Sequence, residues 1–204
     1  MSSEIKANSI QDKTGTRVLA SDSGSAWSWG SGVPTGSLVL LDTDTANNTV
    51  DNYVYELSAG YLSYRVEIIS LRPASDDTSI HVALGTSSSS FSTSNYRFNG
   101  YLTNYDGSST NHTAQSNNQN FLYATSVGND PNYGVNGSFV INNALNSAIS
   151  TIGFGHISWF STTNQLYNFP FSTARTDTET NTHFKVYTAG GNFTSGTINL
   201  YGIK

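Results

Sequence analysis

Cysteine is absent from the 204-residue chain, which excludes a disulfide framework and thiolate chemistry. Charge is scarce as well. Asp, Glu, Lys and Arg together make up 11% of the residues, less than half the usual share of roughly 25%. Lys and Arg are few and scattered, and the net charge is -5, which argues against a phosphate-binding surface and against nucleic acid as a partner. No apolar run is long enough to span a bilayer as a helix, so membrane insertion is not expected. The first residues lack the apolar core of a secretory signal, and export by that route is not expected. A helical apolar period sustained over three turns is missing too. Asn143 to Ser150 has room for one helical turn.

In place of charge the chain carries Asn, Ser, Thr and Gly, with 12% aromatic residues, among which Tyr is the commonest. A disordered chain would show the reverse, few aromatics and high net charge. Tyr53 to Leu84 holds the clearest pattern. Leu62, Tyr64, Val66 and Ile68 alternate with Ser63, Arg65 and Glu67, and Ile80, Val82 and Leu84 repeat the alternation opposite Ser79 and His81. Period two marks strands with one buried and one wet face. The Pro73 to Asp77 turn between them predicts an antiparallel pair at the centre of the main sheet. Further strands are predicted at Leu38 to Leu41, Tyr53 to Leu57, Tyr96 to Leu102, Phe121 to Thr125, Ser138 to Ile141 and Thr151 to Phe160. Leu166 to Phe171, Thr182 to Thr188 and Thr197 to Tyr201 complete the set. Tyr105 to Asn120 reads as a long polar loop.

The expected fold is therefore all-β, a jelly-roll-like antiparallel β-sandwich over residues 37–204 behind an extended N-terminal arm of residues 1–36. The arm has too few apolar residues to bury a core of its own. Ile5, Ile10, Val18, Leu19, Trp27 and Trp29 are its candidate partner-docking residues, since two same-side indoles in a solvated tail would expose much apolar area.

Enzyme chemistry finds little footing. The chain has no Gly-x-Ser-x-Gly elbow and no phosphate-cradling glycine loop. Glu67 alternates with Arg65 on one strand face, as a cross-strand or solvated ion pair would. Asp76 and Asp77 sit in a turn, and the paired carboxylates of a glycosidase are not evident. His81, His112, His156 and His183 lack metal-ligand spacing. Asp42-Thr-Asp44 with Asn47 and Asn48 lacks the Gly and distal Glu of a calcium loop and reads as a polar connection. Sequons at Asn47, Asn111, Asn136 and Asn192 follow from the Asn, Ser and Thr content. No catalytic residue, metal or cofactor is expected. For a sugar, Tyr105, His112 and Tyr133 are the candidate contacts, because they stand in loop contexts. Tyr123 and Trp159 are expected in the core.

Three patches then carry a resemblance. Glu4 to Arg17 (Glu-Ile-Lys-Ala-Asn-Ser-Ile-Gln-Asp-Lys-Thr-Gly-Thr-Arg) resembles the start of small virion proteins of tailed bacteriophages, tail-fibre-like ones included. Tyr53-Val-Tyr-Glu-Leu, Tyr64-Arg-Val-Glu-Ile-Ile and Ser94-Asn-Tyr-Arg97 are similar to the β-sandwich of those proteins. Gly191-Asn-Phe-Thr-Ser-Gly-Thr-Ile-Asn-Leu-Tyr-Gly-Ile-Lys204 resembles their closing strand. The resemblance implies a non-enzymatic structural protein located in the virion, a tail-fibre or fibre-like component that contacts the host surface. Its implied partners are other virion proteins, further copies in a homotrimer, and a host-surface glycan. A capsid decoration or head-fibre protein is the alternative within that class, and a free carbohydrate-binding module the alternative from another. The chain departs from long tail fibres in lacking a repetitive shaft.

Overall fold

Period-two alternation over so much of the chain leaves extended structure as the way to bury one set of side chains and wet the other. The computed structural model describes residues 9–11, 17–21, 27–29, 38–118 and 120–204, with the backbone alone in the first three segments and at 109–118 and 123. Among these the regular elements are all strands. The chain divides into two units, Met1–Val39 and Leu40–Lys204.

In the first unit β1 (Ser9–Gln11), β2 (Arg17–Ser21) and β3 (Trp27–Trp29) form an antiparallel three-stranded sheet. After β4 (Leu38–Thr45), whose first two residues fall before the division, come β5 (Asn52–Glu56), β6 (Ser63–Pro73), β7 (Thr78–Ser87) and the two-residue β8 (Ser90–Phe91). The chain continues with β9 (Tyr96–Asn104), β10 (Ser109–Asn118), β11 (Leu122–Val127) and β12 (Val135–Asn142). The last four are β13 (Thr151–Phe160), β14 (Leu166–Arg175), β15 (His183–Thr188) and β16 (Phe193–Ile203). They make an eight-stranded sheet in the order β10-β9-β14-β13-β12-β6-β16-β4 and a second sheet in the order β11-β7-β15-β5, with β8 paired to β7. The two sheets form a β-sandwich.

The core lies between them. Tyr64, Val66, Ile68 and Leu71 of β6, Phe139 and Ile141 of β12, and Ile198 and Leu200 of β16 meet Tyr55, Ile80, Val82, Leu84, Phe184 and Val186 from the other sheet. Tyr55 stacks on Phe184 with ring centroids 4.8 Å apart. Two buried polar groups that cross the gap have partners. Trp159 Nε1 donates to the Thr125 carbonyl at 2.9 Å, and the Tyr96 hydroxyl accepts from Leu84 N at 2.8 Å. Arg175 is buried too. Its guanidinium donates to Asp177 at 2.8 Å, to Glu179 at 2.5 Å and to Asn181, whose amide holds Thr151 at 2.8 Å. This network ties the β14–β15 connection to the start of β13.

Four expectations need correction. First, β6 and β7 do not pair with one another: β6 lies between β12 and β16, β7 between β11 and β15. The connection after Pro73 crosses from one sheet to the other instead of reversing within one. It is held by Ala74 N donating to Asn192 O at 2.7 Å and by Asn129 N donating to Asp76 at 3.1 Å. Second, Leu62 is 79% exposed and does not join the buried row of Tyr64, Val66 and Ile68. It precedes the strand, and its N–H is spent on Ile203 O at 2.8 Å. Third, most of the supposed loop from Tyr105 to Asn120 is strand β10, an edge strand paired to β9. An edge strand is held by backbone hydrogen bonds and needs no apolar period. Fourth, Asn143 to Ser150 forms turns and no helical turn.

Candidate functional site

The outer face of the eight-stranded sheet is set by register. Asn99, Ser172, Phe154, Val140, Arg65 and Tyr201 stand in one cross-strand row from β9 to β16. Pro170, His156, Ser138, Glu67 and Asn199 stand in the next. Across the middle of these rows runs a depression of about 620 Å3, with Tyr101, Asn99, Phe154, His156, Ser172 and Arg65 among its walls. Phe154 is 51% exposed and Tyr101 47%.

The local sequence explains why aromatic rings face outward here. β13 reads Thr-Ile-Gly-Phe-Gly-His-Ile-Ser-Trp-Phe, apolar on both faces. Ile157 and Trp159 take the inner face, together with Gly153 and Gly155. Phe154 and His156 are thereby committed to the outer face. The inner glycines are required by close packing. A Cβ on Gly155 would lie 2.4 Å from Ser138 O and 2.5 Å from Phe139 Cβ, and one on Gly100 would lie 2.3 Å from the Phe169 ring.

Hydrogen bonds fix the polar side chains around the depression. The imidazole Nε2 of His156 pairs with the amide oxygen of Asn168, which also accepts from the Ser158 hydroxyl at 3.3 Å. Glu67, beside the depression, lies 3.9 Å from the Arg65 guanidinium and accepts from Asn199 at 3.4 Å and Tyr201 at 3.3 Å. The expected Arg65–Glu67 pair is thus present, at the long end of the ion-pair range. Arg65 Nε has no hydrogen-bond partner. Arg65, His156 and the amide and hydroxyl groups of Asn99, Ser138 and Ser172 give a lining without a carboxylate.

The residues predicted for a sugar are not gathered here. Tyr105 is 78% exposed at the β9–β10 turn, where its N–H donates to Leu166 O at 3.0 Å. Tyr133 stacks on Phe160 with centroids 5.2 Å apart. Tyr105 and Tyr133 therefore both flank the β13–β14 turn, but neither lines the depression. His112 stands opposite Gly100 in β10, and its side chain lies outside the described residues. The same holds for Tyr123, whereas Trp159 is in the core as expected.

Of the docking candidates, Ile5 lies outside the described residues. Ile10, Leu19 and Trp29 occupy one cross-strand row of the three-stranded sheet, with Val18 next to Leu19 in β2 and Trp27 opposite Ser21. In the Asp42 to Asn48 segment β4 runs on through Thr45, and Asn47 accepts from the Thr49 hydroxyl at 2.5 Å. Among the described residues no group of three or more His, Asp or Glu side chains converges as metal ligands would.

Sequence reasoning missed Asn99, Phe154, His156 and Arg65 as a group. The usable signal was the double-faced apolar pattern of β13, in which an aromatic residue falls on the parity opposite to Ile157 and Trp159. Searches against family models, curated proteins and solved structures return no match to the chain.

Proposed function

We propose that this chain is a non-enzymatic structural protein of a bacteriophage virion, a fibre-like component. In this reading residues 1–36 attach it, and the sandwich is displayed toward the host. The observation that carries the reading is strand order. Eight of the strands run β4-β16-β6-β12 in one sheet and β5-β15-β7-β11 in the other. We read this as a jelly roll, in which consecutive strands alternate between the sheets except at the β7–β11 step, a fold used by viral capsid and lectin domains. The hairpins β9–β10 and β13–β14 then extend one sheet on its far side. The three sequence patches that resemble tailed-phage virion proteins point the same way. A homotrimer accounts for β4, an edge strand with Leu38 44% and Leu40 56% exposed, because neighbouring copies closing around a symmetry axis would cover it.

Immunogold labelling of intact particles tests the proposal. Label on the tail or its fibres is the expected result. Label spread over tail-less capsids would favour the decoration-protein reading. Particles free of label would refute a virion role altogether. The second reading, a carbohydrate-binding module, is favoured by one observation, the aromatic depression on the outer sheet face.

A further inference from the structure

We propose that the depression on the outer face of the eight-stranded sheet is an oligosaccharide-binding site, with Phe154 and Tyr101 as its stacking platforms. Asn99, Arg65, Ser172 and His156 supply its hydrogen bonds. The inference goes beyond the virion reading and does not rest on it, since binding is read on the purified protein.

Four features converge on this ligand class. The first is the lining, which mixes half-exposed rings with amide, hydroxyl, imidazole and guanidinium groups. A pyranose has apolar C–H faces that cover a ring and a rim of hydroxyls that need directional partners. A purely apolar ligand would leave those polar groups unpaired, and an anion would not use the rings. The second is size. A depression of about 620 Å3 falls in the range of small-ligand sites, roughly 300–1,000 Å3. The third is spacing. Phe154 and Tyr101 lie two strands and one cross-strand row apart, about 12 Å from strand separation and rise, a distance that a di- or trisaccharide spans. The fourth is donor supply. The Arg65 side chain is 42% exposed on this face, while Glu67 is already engaged by Arg65, Asn199 and Tyr201. The site thus offers donors to sugar oxygens without a competing carboxylate on its lining.

The test uses the full-length purified protein on an array of bacterial surface oligosaccharides, both neutral and uronic-acid-containing. Titration calorimetry with the best-retained oligosaccharide follows. Binding is expected, and Phe154→Ala, Phe154→Leu and Tyr101→Ala should each weaken it at least tenfold. Both rings are half-exposed, so melting temperatures should hold. Phe154→Leu keeps apolar bulk but removes the flat ring, and Phe154→Tyr should bind within about twofold of wild type. Tyr105→Ala, at a turn outside the depression, should leave affinity unchanged. Retention of no oligosaccharide would overturn the proposal. So would a loss in Tyr105→Ala that Phe154→Leu does not share. Wild-type self-association abolished by Phe154→Ala, without an effect on sugar retention, would assign the face to a second copy.

Discussion

Buried tyrosine hydroxyls make single residues of this protein sensitive to alkali. Tyr55 and Tyr96 are fully buried. Burial raises both pKa values. Tyr96 is pushed up to about 12, and Tyr55 is raised further with the help of the nearby Asp44 charge. In the unfolded chain both titrate near 10. A phenol whose folded pKa exceeds its unfolded one holds its proton more tightly in the native state. Its contribution is fully present below the unfolded pKa and is lost as pH rises through the folded one. Between pH 10 and 12 each such group should remove about 1.4 kcal/mol of stability per pH unit. Denaturant midpoints should therefore be flat from pH 7 to 9 and fall steeply above 10. Tyr96→Phe should blunt the fall, though it gives up the hydroxyl's bond to Leu84 N. A midpoint unchanged at pH 11 would show that these phenols ionise freely in the folded protein.

Strand β13 illustrates the constraint on a whole element. It must approach β12 closely on the inside and present Phe154 and His156 outside, and Gly155 makes the close approach possible. Gly155→Ala puts a methyl group against the backbone of Ser138, which cannot swing aside as a side chain can. Overpacking of this kind costs typically 1–3 kcal/mol, and here the upper half of that range is expected. Thermal melting of the variant should show a drop of several degrees. A melting temperature at or above wild type would mean that β12 and β13 are not paired in the register Phe139↔Gly155. Strand β10 is the contrasting case. It is built of polar residues and held by its hydrogen bonds to β9, so it carries little of the sequence signal that marks β13.

For the molecule as a whole, the division at Val39/Leu40 and a sandwich core described within Leu40–Lys204 lead to the prediction that residues 1–36 can be removed. Among the described side chains, every residue of that core lies at Ala46 or beyond. Deletion of residues 1–36 should leave the far-ultraviolet circular dichroism of the sandwich intact, and a largely unfolded product would show the arm to be part of the core. Under the fibre-like reading the full-length chain should sediment as a trimer. Trp27→Ala together with Trp29→Ala should lower the number of copies per purified particle without changing the melting temperature. Normal incorporation would shift the attachment surface from the arm to the sandwich.

The class of fold was legible in the chain because a period of two is a local property: Tyr64, Val66 and Ile68 reveal a buried strand face without reference to any neighbour. The strand intervals and the core assignment of Trp159 were legible for the same reason. Which sheet a strand joins is not local. The turn after Pro73 looks alike whether it closes a hairpin or crosses the sandwich, and only the long-range partners Asn129 and Asn192 decide that it crosses. Leu62 matches the parity of Tyr64, yet it is exposed because the strand begins one residue later. The candidate site belongs to the same category. Asn99, Arg65, Phe154 and Ser172 come from four strands, far apart in sequence, and meet only because the register of β9, β14, β13, β12 and β6 aligns them in one row. Local alternation determined that these residues would lie on some sheet face, and strand pairing across the whole chain decided that they would share one.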